Sequence, residues 1–265
     1  MDHQALRMLC SPQFWRMAVL WTISLLLSYI LAFLRGRPAA SPRRRLPRPG
    51  AGGRPICVVT GATSGLGRAA AAALAREGYH VVLAGRSTQL LYETVQEIRR
   101  QQPDARLEPF QLDLASYKSI KKFGTSLEQW IQQTSSEPSI QLLINNAGIL
   151  AKSHRVTEDG LDDAADPGVV ETKIMRELPQ CISWFAFLVL RILNLLQAPD
   201  TGVGAVLDAA LALPEKSGEY FFGGKGRTIR SSRLSYDTEV SKKLREESSA
   251  IFKELHLREV NIGNS

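Results

Sequence analysis

Three glycines open the chemistry of this chain. Gly61, Gly65 and Gly67 stand in "TGATSGLG", after the β-branched run Ile56–Thr60 and before an Ala-rich stretch. Glycine at these spacings permits a turn that a side chain would block and lets backbone N–H groups approach a ligand. The positive end of the following helix faces the same point, so the ligand it favours is an anion, a pyrophosphate above all. The next apolar run, "HVVLA" (80–84), is followed by Arg86, where a dinucleotide with a free ribose 2′-hydroxyl is usually met by an acid. A guanidinium there suits a 2′-phosphate, which favours NADP(H) over NAD(H). The alternative for Arg86 is a solvated loop charge.

These residues need a scaffold, and the surrounding pattern supplies one. Residues 55–86 read as strand, glycine turn, helix and strand, which is one βαβ unit. "ARLEPFQLDL" (105–114) reads as a third strand ending at Asp113, and "SIQLLINNAG" (139–148) as a fourth running into Asn145, Asn146, Ala147 and Gly148. Between them Ile120, Phe123, Leu127, Trp130 and Ile131 recur at helical spacing. The fold class is α/β, a Rossmann-type doubly wound parallel sheet.

Four motifs in this order, "TGATSGLG", "AGR", "LDL" and "NNAG", make the chain resemble the short-chain dehydrogenase/reductase family, especially its membrane-anchored, retinol-dehydrogenase-like branch. The resemblance implies a dinucleotide partner with Gly61, Ser64, Gly65, Leu66 and Gly67 around its phosphates and Arg86 at the 2′-phosphate. It implies Asp113 and Leu114 at the adenine, and Asn146, Ala147 and Gly148 along the cofactor ribose. "DPGVVETKI" resembles the family's Pro-Gly segment, with Pro167 and Gly168 in register and Asp166 where His or Asn is usual. "LPEKSGEYFFGGK" resembles the final strand. "YDTEVSKKLREESSAIFKEL" resembles the closing amphipathic helix, with Val240, Leu244, Ile251 and Leu255 on one face.

The resemblance also implies an alcohol/carbonyl oxidoreductase that works through a Ser on the fifth strand and a Tyr-x-x-x-Lys on the next helix. In that pairing the ammonium, four residues on and so on the same helix face, lowers the phenol pKa from about 10 toward the working range. After "TEDGLD" the sequence passes within four residues, between Asp162 and Pro167, to the Pro-Gly segment. The piece this skips would hold roughly 80 residues, more than two strand–helix units. Strands five and six are then largely absent, no catalytic residue is assigned, and the helices of a family-type dimer interface are missing. Tyr117 and Lys121 in "SYKSIKK" form the one Tyr-x-x-x-Lys present, but they precede the fourth strand, on the adenine side. The bare apolar edge this leaves on strand four invites aggregation unless "GEYFF" moves in beside it. The expectation is an NADP(H)-binding chain without catalysis, with a regulatory variant or an unstable splice-type product as alternatives.

The formal charge of +7 is not spread evenly. Residues 1–50 carry eight arginines against Asp2 alone, and the remainder holds equal numbers of acids and bases. The folded part therefore has no overall basic bias that would call for nucleic acid. Met17–Leu34 is uncharged and apolar, bracketed by Arg16 and Arg35, and its 18 residues fall within the roughly 17–25 that cross a bilayer. The arginine excess after it predicts a single-pass N-terminal transmembrane helix with the domain facing the cytosol, in the endoplasmic reticulum or another organelle membrane. A cleaved or targeting segment is the alternative. The chain thus divides into an anchor (1–35), an Arg/Pro-rich linker (36–54) and a truncated dinucleotide-binding domain (55–265). A second apolar run, 181–196, holds Arg191 and Asn194 and reads as buried or lying on the membrane surface. Cys10, Cys57 and Cys181 and the four histidines show neither disulfide nor metal-ligand spacing.

Overall fold

The computed structural model describes residues 54–134, 140–148, 199–213, 220–221, 228–229 and 237–263, with five helical positions near the N-terminus, Arg16, Val19, Ile23, Leu27 and Ile30. The elements are β1 (Ile56–Thr60), α1 (Gly65–Arg76), β2 (His80–Gly85), α2 (Thr88–Gln101), β3 (Leu107–Gln111), α3 (Tyr117–Thr134), β4 (Ile140–Ile144), α4 (Pro199–Ala210), β5 (Tyr220–Phe221), β6 (Thr228–Ile229) and α5 (Thr238–Gly263). Four strands form a parallel sheet in the order β3-β2-β1-β4, a Rossmann-like α/β arrangement.

Strand β1 is buried along its whole length because helices cover both faces of the sheet, as parallel sheets require. Its side chains alternate: Cys57 and Val59 join the cluster formed with α1, α2 and α4, and Ile56 and Val58 join Leu127 on the α3 side. Alanines at 69, 70, 71 and 73 let α1 lie close on the strands, with Leu74 filling the remaining space. Helix α1 stops where Gly78 takes a positive φ: Tyr79 N–H bonds the Leu74 carbonyl and Gly78 N–H the Ala75 carbonyl. Ser87 starts α2, its hydroxyl accepting from Leu90 N–H at 3.3 Å. On the opposite face Phe110, Phe123 and Trp130 pack edge to face.

The α3 stripe read from the sequence is the stripe that packs, with Leu127 buried and Phe123, Trp130 and Ile131 against it. The structure decides one open point and changes one expectation. Tyr220–Phe221, from "GEYFF", pairs antiparallel with Thr228–Ile229 in a separate two-stranded sheet, not with β4. A short local hairpin closes with less entropy loss than insertion beside a distant strand. Strand β4 keeps Leu143 58% and Ile140 45% exposed. Of the expected apolar face of α5, Val240, Leu244 and Ile251 face solvent and Leu255 is half-buried, while Phe252 lies edge-on to Tyr117.

The Asp162–Pro167 joint, Pro167, Gly168 and the 181–196 run lie outside the described residues. So does most of the 17–34 run. Among the described residues no helix is long and apolar enough to cross a membrane. Val19, Ile23, Leu27 and Ile30 are helical, and each is about half exposed.

His80 opens β2 with its ring edge-on to Trp130, centroids 4.8 Å apart. Burial lowers its pKa, and the charges of Arg106, Arg54 and Arg99 lower it further. As pH falls below about 6.5, the unfolded chain takes up a proton that folded His80 refuses, so stability is full above that value and declines below it. Denaturant unfolding of the wild type should therefore weaken from pH 7.5 to pH 5 more than that of His80→Gln. An equal decline in both proteins would show that His80 is not the sensor.

Candidate nucleotide-binding site

The site lies at the C-terminal edge of the sheet, where β1 turns into α1 beside the end of β4. Thr60, the last residue of β1, is buried, and its hydroxyl is a three-way junction. It accepts from the backbone N–H of Asn146 and of Ala147, both at 3.0 Å, and donates to the Ile144 carbonyl at 3.4 Å. The Asn146 side chain turns inward and donates to the carbonyls of Thr60 (3.0 Å) and Gly61 (3.4 Å). Five hydrogen bonds thus fasten the end of β4 and the "NNAG" segment to the start of the glycine turn.

That fastening leaves no room for side chains in the turn. Gly61 has φ +64, and a Cβ there would sit 2.9 Å from the Ala147 Cα. A Cβ on Gly67 would come within 2.3 Å of the Gly61 carbonyl oxygen and 2.4 Å of the Asn146 Nδ2. Ser64 is the N-cap of α1 in extended conformation, and its hydroxyl makes no capping bond. The first-turn N–H groups of α1 therefore face the edge without a side-chain cap, and the first turn carries no acid. This concentrates partial positive charge at the turn and suits a phosphate.

The flanking positions are set by the strand ends. Ala62 N–H bonds the Ala84 carbonyl, and Leu112 N–H bonds the Gly85 carbonyl. The turns after β1, β2 and β3 are therefore adjacent. Arg86 is exposed, and its backbone carbonyl accepts from Gln111 Nε2 at 3.2 Å. Asp113 closes a turn onto α3: its carboxylate accepts from Ala115 N–H at 3.1 Å, and its own N–H bonds the Ser119 hydroxyl at 2.9 Å. Leu114 is half exposed beside it, and Ala147 and Gly148 are exposed on the far side. The structure brings Gly61, Ser64, Gly65, Leu66, Gly67, Arg86, Asp113, Leu114, Asn146, Ala147 and Gly148 to one edge. Pro167 and Gly168 fall outside the described residues.

Residues 55–175 match the short chain dehydrogenase family. Its relatives include polyprenol dehydrogenase of Mus musculus, 37% identical over 142 residues, which are 53% of this chain and 38% of that protein. Retinol dehydrogenase 13 of Homo sapiens is 35% identical over 105 residues, 40% of this chain and 30% of that one. Short-chain dehydrogenase TIC 32 A of Brassica napus shares 35% over 105 residues, 40% of this chain and 31% of its own length. The chain thus spans only about a third of the curated relatives it matches. A solved short-chain dehydrogenase from Sphingobium yanoikuyae in complex with NADPH is 29% identical, with a TM-score of 0.32, covering 40% of this chain and 39% of its own.

Within this site, sequence reasoning missed Thr60 and the inward use of Asn146. A threonine ending a β-branched run reads as strand propensity, and only the neighbouring strand end shows what its hydroxyl holds. Tyr117 is 7% exposed, its hydroxyl 3.0 Å from His256 Nδ1 and its ring edge-on to Phe252, so it fastens α5 to the start of α3. Cys57 is buried in β1, and burial pushes its thiol up to about 12, which keeps it unreactive at neutral pH.

Two substitutions test the junction. Thr60→Val should destabilise the fold by about 1–3 kcal/mol, because the N–H groups of Asn146 and Ala147 lose their acceptor, and Thr60→Ser should restore most of it. Gly67→Ala should destabilise by about 1–3 kcal/mol or more through overpacking. Urea unfolding reads both, and a Thr60→Val protein as stable as the wild type would remove the junction from the account.

Proposed function

We propose that this chain binds the adenosine and pyrophosphate end of a nicotinamide dinucleotide, NADP(H) in preference to NAD(H), and does not turn over alcohols or carbonyl compounds. The observation that carries the reading is the glycine turn. Its Gly61 and Gly67 positions are held so tightly by Asn146 and Thr60 that no side chain fits, while the uncapped first turn of α1 faces the same point. The residues fit the group: the α1 N-terminus for the pyrophosphate, Arg86 for a 2′-phosphate, Asp113 and Leu114 for the adenine, and Ala147 and Gly148 for the ribose. Pro167 and Gly168 complete the set on sequence grounds. The polyprenol and retinol dehydrogenases among the relatives support a dehydrogenase-type dinucleotide site.

When bound, the nicotinamide supplies hydride to or from a carbonyl carbon. A Ser and a Tyr-x-x-x-Lys would have to handle the accompanying proton, and the sequence has no such pair after the "NNAG" segment. The proposed gap between Asp162 and Pro167 accounts for that. Losing a positioned acid–base group lowers rate by about 10²–10⁴-fold, and losing an oxyanion donor by about 10²–10³-fold. Tyr117 does not stand in, because its buried hydroxyl is engaged with His256 beside the adenine-side Asp113.

The same reading places the chain on a membrane through residues 17–34, with the domain on the cytosolic side. The uncharged run, the arginine excess after it and the exposed apolar helical positions Val19, Ile23, Leu27 and Ile30 support it.

Full-length chain in detergent should bind NADPH and 2′,5′-ADP more tightly than NADH and 5′-AMP. Arg86→Ala should remove most of that difference, roughly tenfold or more, because a charge-assisted phosphate contact is lost. Absence of binding to every one of these ligands would end the nucleotide-site reading. Reduction of any aldehyde or ketone by NADPH at an ordinary enzyme rate, about 1 s⁻¹ or faster, would end the non-catalytic one.

A further inference from the structure

The opposite edge of the sheet, where the strands begin, has its own charge pattern. Arg54 leads into β1, and the carbonyl of the next residue, Pro55, accepts from His80 N–H at 2.9 Å. Arg106 leads into β3, and its carbonyl accepts from Val81 N–H at 2.9 Å. Arg99, in the last turn of α2, reaches back to the Leu107 carbonyl at 3.0 Å. These bonds bring the lead-ins to β1 and β3 and the end of α2 to one edge, where the charges of Arg106, Arg54 and Arg99 all act on the half-buried His80. Arg99 and Arg106 are exposed and Arg54 is half-buried. Acids on this side include Glu77, exposed at the end of α1, Asp104, exposed in the turn before Arg106, and Glu108 on β3, whose carboxyl burial pushes toward the neutral form against the pull of Arg99.

Residues 51–265 carry no net charge, so this edge is a local excess and not part of a basic domain. What makes it informative is where the chain enters. Arg54 is the last residue of the Arg/Pro-rich stretch that follows the apolar run, a stretch that also holds Arg35, Arg37, Arg43, Arg44, Arg45 and Arg48. The basic edge and the basic linker are therefore continuous through Arg54, at the point where the fold is tethered. Guanidinium groups on a tethered surface are drawn to anionic headgroups lying within a Debye length of about 8–10 Å.

We propose that the strand-start edge formed by Arg54, Arg99 and Arg106 rests on the anionic lipid surface, so that the glycine turn at the opposite edge opens away from the membrane. This rests on the membrane reading of residues 17–34 and adds to it an orientation and a lipid class. Tethering alone fixes neither, because the 19 residues between Leu34 and Arg54 can extend up to about 70 Å.

Two exposed arginines in turns at opposite edges provide the readout. Arg106 lies in the turn before β3, and Arg86 in the turn after β2. Full-length chain would be reconstituted, folded domain outward, into vesicles of phosphatidylcholine alone or with 30% phosphatidylserine, and trypsin cleavage followed by mass spectrometry. The expected result is cleavage after Arg106 slowed about fivefold or more by the anionic lipid, with cleavage after Arg86 unchanged. The difference should disappear in 0.5 M NaCl. Arg54→Glu should weaken the protection at Arg106, with the rate at Arg86 reporting that the fold is intact. Equal cleavage after Arg106 in both vesicle types, with the chain co-sedimenting with both, would overturn the orientation and leave the anchor standing. Failure to co-sediment with either would overturn both. Protection of Arg86 in place of Arg106 would show that the nucleotide edge faces the lipid and overturn the proposal outright.

Discussion

The Thr60 hydroxyl decides where everything at the nucleotide edge can lie. It takes two N–H groups from the end of β4 and returns its proton to the same segment, so β1 and β4 end in fixed register. Asn146 then faces back under the glycine turn and fills the space where a Gly67 side chain would go. The turn is thus constrained from outside itself: glycine supplies the room, and the strand-four segment uses it. With the turn pinned, the first N–H groups of α1 are aimed at one place without help from a capping side chain. A phosphate binding there meets donors already in position and pays little to order them, which is what preorganisation contributes to affinity.

Much of this was legible in the sequence, and the failures share a cause. The buried β1 shows as an unbroken apolar run, and the α3 stripe shows at helical spacing, because each is dictated by a period along one segment. Gly61, Gly65 and Gly67 show because only glycine permits that turn. Thr60 and Asn146 do not show, because their roles exist only between segments about 85 residues apart in the chain. The same holds for β5. The residues "YFF" have strand propensity, but propensity does not say which strand they will join, and a nearby partner at Thr228–Ile229 takes the pairing. The apolar face of α5 is a third case. Of its stripe only Leu255 is half-buried, and the contacts to Tyr117 come from Phe252 and His256 beside it.

The two edges of the sheet carry different chemistry for one geometric reason. In a parallel sheet every strand starts at the same edge, so the turns after the strands collect at one side and the lead-in residues at the other. Gly61, Arg86, Asp113 and Asn146 are all residues that follow strands. Arg54, His80 and Arg106 all precede or open them. Neither group is contiguous in the sequence, and each is assembled by strand direction alone. The depressed pKa of His80 reflects that assembly, since the arginines that oppose its protonation come from the lead-ins to β1 and β3 and from the end of α2.

Strand β4 is where the nucleotide edge and the stability of the fold meet. Its backbone end holds the glycine turn, while Leu143 and Ile140 stay largely in contact with water. A side chain of this kind left exposed forgoes about 1.5–3 kcal/mol of burial, comparable to a sizeable fraction of a domain's net stability of about 5–15 kcal/mol. Local opening should therefore start at β4, and when β4 leaves, Thr60 loses its partners and the turn loses its floor. Ligand binding and β4 docking are then the same equilibrium seen from two sides, since a ligand that needs the intact turn stabilises only the closed form. At a concentration about 100 times its Kd such a ligand adds roughly 2.7 kcal/mol, enough to offset one exposed leucine. On this argument the site does not merely sit on the fold. Among the described strands β4 is the last in the sheet, and a ligand that required the intact turn would help keep it in place.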